Sequence, residues 1–130
     1  MRYWAVLAVI GLAACVEEPE TGADIFAVEC ASCHGADARG DGPYARDLET
    51  APPDLTLIAS RNGGVFPRDQ VMSTIDGLQR DAHFSMAMPE FGAGDLGATV
   101  IVENDGLGTP VPTKLLLLTD YIELLQRENP

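Results

Sequence analysis

The sequence predicts a mainly α-helical domain of short helices separated by loops, and three observations carry that reading. Apolar residues recur three and four positions apart in three stretches, near residues 23–33, 67–78 and 113–125. A run rich in Gly, Asp and Pro, residues 35–53, lies between the first and second of them. One short stretch, Thr99 to Glu103, has the composition of a strand. A chain of 130 residues with 46% hydrophobic content suffices for one compact domain, and no internal repeat divides it.

The elements follow in order. Met1-Arg2 is a minimal basic start, Tyr3 to Ala14 is a nearly unbroken apolar run, and small residues precede Cys15. The run is too short to span a bilayer as a helix, so residues 1–14 read as a signal peptide and the mature chain as exported. Leu12-Ala13-Ala14-Cys15 resembles the lipobox of bacterial lipoproteins, in which Cys15 becomes a lipid-bearing N-terminus; an ordinary secretory signal with Cys15 incidental is the alternative. Residues 15–21, including the acidic, proline-containing VEEPET, read as a lipidated N-terminus and tether, with the folded domain over residues 22–130.

Ala23 to Cys33 forms a first helix with Phe26, Cys30 and Cys33 along one side. The loop after it carries Asp37, Asp41 and several glycines without the spacing of a calcium-binding loop, so turn chemistry accounts for them. Pro67 suits the first turn of a second helix whose apolar side is Val71, Ile75 and Leu78 and whose stop is Gly77. Met72, at helical spacing on that face, reads as core. Thr99 to Glu103 is a strand running into a turn at Asn104-Asp105-Gly106. Thr113 caps a last helix with Leu118, Tyr121, Ile122 and Leu125 inward and Asp120, Glu123 and Arg127 in water.

Of three cysteines and two histidines in the chain, two thiols and one imidazole fall within five residues, Cys30-Ala31-Ser32-Cys33-His34. Cys-x-x-Cys-His is the attachment signature of c-type haem. Cysteines three apart on a helical turn point the same way, so both sulfurs can form thioethers to one side of a porphyrin, and His34 can reach beneath the iron as an axial ligand. The competing readings are a thioredoxin-like thiol pair, which wants a βαβ context, half of a zinc site, which wants a second ligand pair, and a plain disulfide.

With these residues in place, Gly22 to Gln126 resembles a small bacterial class I c-type cytochrome, carrying a single haem. The resemblance implies a cytochrome c-like fold in which the helix bearing the haem motif crosses the C-terminal helix at Gly22, Phe26 and Tyr121. Pro53-Asp54-Leu55 is similar to the family's Pro-x-Leu segment, which implies that the Pro53 carbonyl accepts the second imidazole hydrogen of His34 and that Leu55 packs on the ring. A proline turn followed by a core leucine is the plainer reading of the same residues. Arg61 resembles an arginine that neutralises a haem propionate, against a solvated surface arginine.

His83-Phe84-Ser85-Met86-Ala87-Met88-Pro89-Glu90-Phe91 is similar to the family's Met-Pro-x-Phe loop, which points to Met88 as the sixth ligand. Pro89 restricts Met88 to extended conformations and so fixes its direction. Extended chains alternate sides, which leaves Met86 as second choice, and His83, which would make a lower-potential site, as third.

Two departures from better-known members limit what carries over. Trp4 leaves with the signal, so no indole remains to bind a propionate, and Lys114 is the one lysine, where mitochondrial relatives dock through a ring of lysines. The 8 basic side chains less Arg2 leave 7 against 20 acidic ones, a formal charge of −13. Nucleic acid is excluded as a partner by that balance, and a redox protein with a basic docking face is favoured. The function expected is electron transfer by a mono-haem carrier with His/Met ligation, neither an enzyme nor a binder of a small-molecule substrate. The alternatives are a haem enzyme or gas sensor with a labile or absent distal ligand and, more remotely, a thiol-disulfide protein without haem.

Overall fold

The structure is a computed structural model and describes residues 20–79, 88–104 and 106–127. Residues 1–19, which include the signal-peptide segment, Cys15 and most of the tether, lie outside the described residues, as do His83 and Met86.

Helix α1 (Gly22–Glu29) begins where Thr21 can close it. The Thr21 hydroxyl accepts from the Asp24 amide at 3.2 Å, and the Asp24 carboxylate accepts from the Thr21 amide at 3.0 Å, so two orphan donors are satisfied at once. Thr21, read from sequence as the end of the tether, is therefore part of the folded unit, and Glu20 is tied down by Lys114 at 3.1 Å. The single helix predicted over residues 23–33 is two: Cys30, at φ −119°, interrupts it, and the chain resumes as α2 (Ala31–His34). Gly35, at φ +81°, ends α2 in a conformation that costs any other residue strain.

After a 3-10 turn at Leu55–Leu57 comes α3 (Ile58–Arg61), then α4 (Arg68–Asp76), with Pro67 at its entry and Gly77 at its exit as the sequence predicts. Leu78 does not join the apolar side of α4. The left-handed turn at Gly77 (φ +100°) leads the chain away, and Leu78 is 82% exposed. Strand β1 (Thr99–Asn104) pairs antiparallel with β2 (Leu107–Pro112), Val100 lying opposite Val111. The second strand was hidden in the sequence by Pro110 and Pro112, which argue against a ladder position.

The last helix, α5 (Thr113–Leu124), begins after Pro112 with no side-chain cap; the Thr113 hydroxyl donates instead to the Ala98 carbonyl at 2.7 Å. Leu115, Leu118, Thr119 and Ile122 are its buried residues, while Tyr121 and Leu125 are half-buried at the edge of the core.

The fold is mainly α, as the sequence predicts, with one two-stranded sheet among the described residues. Its centre is the crossing of α1 on α5. A Cβ on Gly22 would lie 2.1 Å from the Leu117 carbonyl oxygen, so only glycine permits this approach. One turn later Phe26, 1% exposed, meets Tyr121 with ring centroids 5.5 Å apart at 54°. Arg68 joins α4 to α5 through Asp120 and, at 2.6 Å, Glu123. Among the described residues no helix is long and apolar enough to cross a membrane.

Candidate functional site

The α1–α5 crossing and the elements around it enclose a cavity of about 850 Å³. Cys30, Cys33 and His34 line one part of it, Met88 another, and the apolar lining includes Phe26, Leu55, Ile58, Val71, Ile75, Phe91 and Leu96. The residues singled out for their chemistry thus come from four separate segments to one space. Pro53 and Arg61 line it as well.

The wall carrying His34 is built largely from backbone. A helix of four residues leaves its carbonyls unpaired, and the following loop supplies the donors. Tyr44 N–H donates to the Ser32 carbonyl at 2.9 Å, Gly42 N–H to Cys33 at 3.1 Å and Gly40 N–H to His34 at 2.7 Å. A side chain on Gly42 would meet three backbone atoms of α2 at 2.5–2.7 Å, so the loop lies flat on the helix. Ala38, fully buried at φ +59°, accepts the Leu55 amide at 2.8 Å and so links this wall to the segment that brings Leu55 into the cavity. Gln126 holds the same segment from the far end of the chain, donating to the Leu55 carbonyl and accepting from the Ala59 amide, both at 2.9 Å.

The imidazole is the informative group. His34 Nδ1 is buried and has no hydrogen-bond partner, and burial lowers the pKa of the ring, holding it neutral as a ligand must be. The hydrogen bond to the Pro53 carbonyl that the family resemblance implies is not made. The Pro52-Pro53 backbone is seated on Gly40 instead, where a Cβ would lie 2.1 Å from the Pro52 oxygen.

Cys30 and Cys33 are free thiols, without a disulfide between them. Burial, reinforced by Glu29 and Cys33, pushes the Cys30 thiol up to about 12. A group so reluctant to become thiolate is a poor redox nucleophile, which weakens the thioredoxin-like reading. Among the described residues no cluster of three or more His, Cys, Asp and Glu side chains could hold a metal ion, so the zinc reading has no ligand set there. A neutral imidazole with an orphaned nitrogen, two adjacent thiols, a thioether and an apolar surround in one cavity do fit a haem.

The wall carrying Met88 hangs on α4. A 3-10 turn at Phe91–Ala93 follows Pro89, and a Cβ on Gly92 would lie 2.3 Å from the Asp76 carboxylate and 2.5 Å from its carbonyl. Met88 and Phe91 are half-buried against the core from this perch. Arg61 donates to the Asp54 carbonyl at 2.8 Å and stays exposed. Asp54 accepts from the Thr56 hydroxyl at 2.6 Å and amide at 2.9 Å, and the hydroxyl bond first, then the amide bond, Arg127 and Arg39, hold its carboxyl below the usual range against an opposing cost of burial.

Sequence reasoning missed the loop-to-helix bonds, the Gln126 clamp and the carboxylates Glu20, Glu29, Glu90 and Asp95 that also line the cavity. The glycines of residues 35–42 were a visible signal for the first; nothing local marks Gln126. Residues 19–100 match the cytochrome c family model. No curated protein and no solved structure shows a significant match to the chain. The match spans more than half of the sequence and contains the Cys-x-x-Cys-His motif and most of the residues that line the cavity, so the chain belongs to the cytochrome c family, whose members carry covalent haem and transfer electrons.

Proposed function

We propose that this protein is an exported, single-haem electron carrier in which Cys30 and Cys33 hold the haem covalently and His34 and Met88 are the axial ligands. The observation that carries the reading is the convergence of these four side chains on one apolar cavity. The haem, when bound, supplies a one-electron couple at iron. The chain's residues do the rest. The backbone bonds from Gly40, Gly42 and Tyr44 fix the segment bearing His34, and Pro89 restricts the direction of Met88. Leu55, Ile58, Val71 and Ile75 keep water away, while Pro53 and Arg61 complete the lining, Arg61 as the cation nearest in character to a propionate partner.

Met88 ranks ahead of Met86 and His83 because it precedes Pro89 in the Met-Pro-x-Phe segment, and its place in the cavity lining agrees with that role. The four carboxylates lining the cavity face two basic residues there, Arg61 and a Lys114 already paired with Glu20. That balance favours a redox partner with a basic docking face. Lipid on Cys15 would hold the domain at the periplasmic side of a bacterial membrane, two acyl chains giving a durable anchor where one would not.

Acid-acetone should fail to extract the haem, and the alkaline pyridine spectrum of the reduced protein should be that of a haem bound through two thioethers. Haem that comes out, or is missing, sinks the reading. In the oxidised protein a weak sulfur-to-iron band in the near infrared should vanish in Met88→Ala and survive in Met86→Ala. The reverse pattern transfers the ligand to Met86, and loss in neither brings His83 forward. Recovery of the native protein in the soluble periplasm without detergent would remove the anchor.

A further inference from the structure

The hairpin has two edges of opposite character. Prolines in a ladder occupy positions whose backbone faces away from the neighbouring strand, because they have no N–H to donate. In β2 those are Pro110 and Pro112, which lie opposite Ile101 and Thr99 of β1. The residues that exchange hydrogen bonds between the strands are therefore Val100 with Val111 and Val102 with Thr109, and the backbones of Thr99, Ile101 and Glu103 face outward from β1. The outer edge of β2 is closed by its prolines, and that strand lies beside α5. On β1, no backbone hydrogen bond outside the hairpin reaches residues 99–104 among the described residues.

Glu103, at one end of this edge, is its one charged protection. Thr99-Val100-Ile101-Val102-Glu103 has no lysine and no proline, and Ile101 is 65% and Val100 38% exposed. A two-stranded sheet is marginal alone, and further strands stabilise it.

We infer that β1 pairs antiparallel with β1 of a second copy of this chain, the two-fold axis passing through Ile101, to form a four-stranded sheet across the dimer. The strand is self-complementary in that register. Ile101 meets Ile101, Val100 meets Val102, and Thr99 meets Glu103, so an isologous interface forms with no like charges directly opposed. A formal charge of −12 on each chain opposes the association at long range, which gives it a signature: the dimer strengthens as salt screens the repulsion. Docking on a basic partner weakens under the same change. The inference does not depend on which residues ligate the iron.

Sedimentation equilibrium of the haem-loaded protein in a density-matched neutral detergent tests it. The expected result is a mass that rises toward twice the monomer with protein concentration and with salt. Ile101→Pro, which removes an outward N–H, and Ile101→Lys, which places a charge on the two-fold, should both be monomeric with the haem spectrum unchanged; the lysine variant keeps every backbone bond of the hairpin. Cα atoms across a hydrogen-bonded antiparallel pair lie about 5.5 Å apart, within disulfide range, so Ile101→Cys should oxidise to a covalent dimer far faster than Leu107→Cys at the exposed hairpin tip. A monomer at every concentration and salt overturns the inference. So does a dimer that survives both Ile101 variants, since it would use another surface.

Discussion

The two walls of the cavity are made in different ways. Around His34, the amides of Gly40, Gly42 and Tyr44 donate to the carbonyls of α2, Leu55 is tied to Ala38, and glycine lets the loop lie in direct backbone contact with the helix. Around Met88, the described hydrogen bonds of the 91–94 turn are local, Ala93 to Glu90 and Gly94 to Phe91, and the segment is positioned by its approach to the end of α4. One wall is specified by main-chain geometry that few substitutions leave intact. The other is positioned by the close approach of Gly92 to the end of α4 and by the packing of half-buried Met88 and Phe91.

The contrast can be broken most forcefully by paired truncations. Phe26→Ala should destabilise the haem-loaded protein by about 3–5 kcal/mol in urea unfolding, the cost of emptying a fully packed aromatic site. Phe91→Ala, half-buried on the other wall, should cost about 1–2 kcal/mol, since only part of its apolar surface leaves water. Equal costs would mean that the wall carrying Met88 is as tightly packed as the crossing of α1 on α5.

A gentler pair sharpens the same point with a single methyl. Gly42→Ala forces a Cβ against the Ser32 carbonyl and should cost about 1–3 kcal/mol, with a shift in the haem spectrum as α2 moves. Gly94→Ala meets one atom at an ordinary 3.5 Å in an extended conformation, so it should be neutral or stabilising by about 0.4–1 kcal/mol. Finding Gly42→Ala harmless would show that the loop can lift from the helix.

The smallest expected effect concerns Asp54. Its carboxyl is held below the ordinary range by Thr56 first and by the neighbouring arginines, so the folded state favours the ionised form. The unfolded chain binds the proton more readily, and the stabilisation present above about pH 4 is lost as pH falls through the lower, folded value. Asp54→Asn should therefore be less stable than the parent near neutrality, and the difference should close below about pH 4 in thermal melts taken across that range. A difference that stays constant with pH would assign the effect to lost shape alone.

These differences also explain what was legible in the sequence. The mainly helical class and the α4 limits at Pro67 and Gly77 were readable because each rests on local periodicity or on a residue with one conformational use, whereas the crossing residues Gly22, Phe26 and Tyr121 came from the family resemblance. Cys30, Cys33 and His34 were readable because their chemistry fixes their spacing. What was not readable has more than one cause. The Gln126 clamp depends on partners far along the chain, the strand carrying Pro110 and Pro112 is a short hairpin partner disguised by its prolines, and nothing in the local sequence marks the break at Cys30. The Pro53 hydrogen bond failed for a related reason: a family pattern specifies which residues are present, while the seating of Pro52 and Pro53 on Gly40 is decided by the local path of this loop.

The Gln126 clamp joins distant parts of the chain. Its partners, Leu55 and Ala59, are about seventy positions earlier, and Arg127 reaches Thr56 across 71 positions. Each such contact carries the cost of closing a long loop and returns a tie that no local bond supplies. The turn after α5 acts as a latch on the segment carrying Leu55, whose other backbone fastening is to Ala38 on the wall around His34.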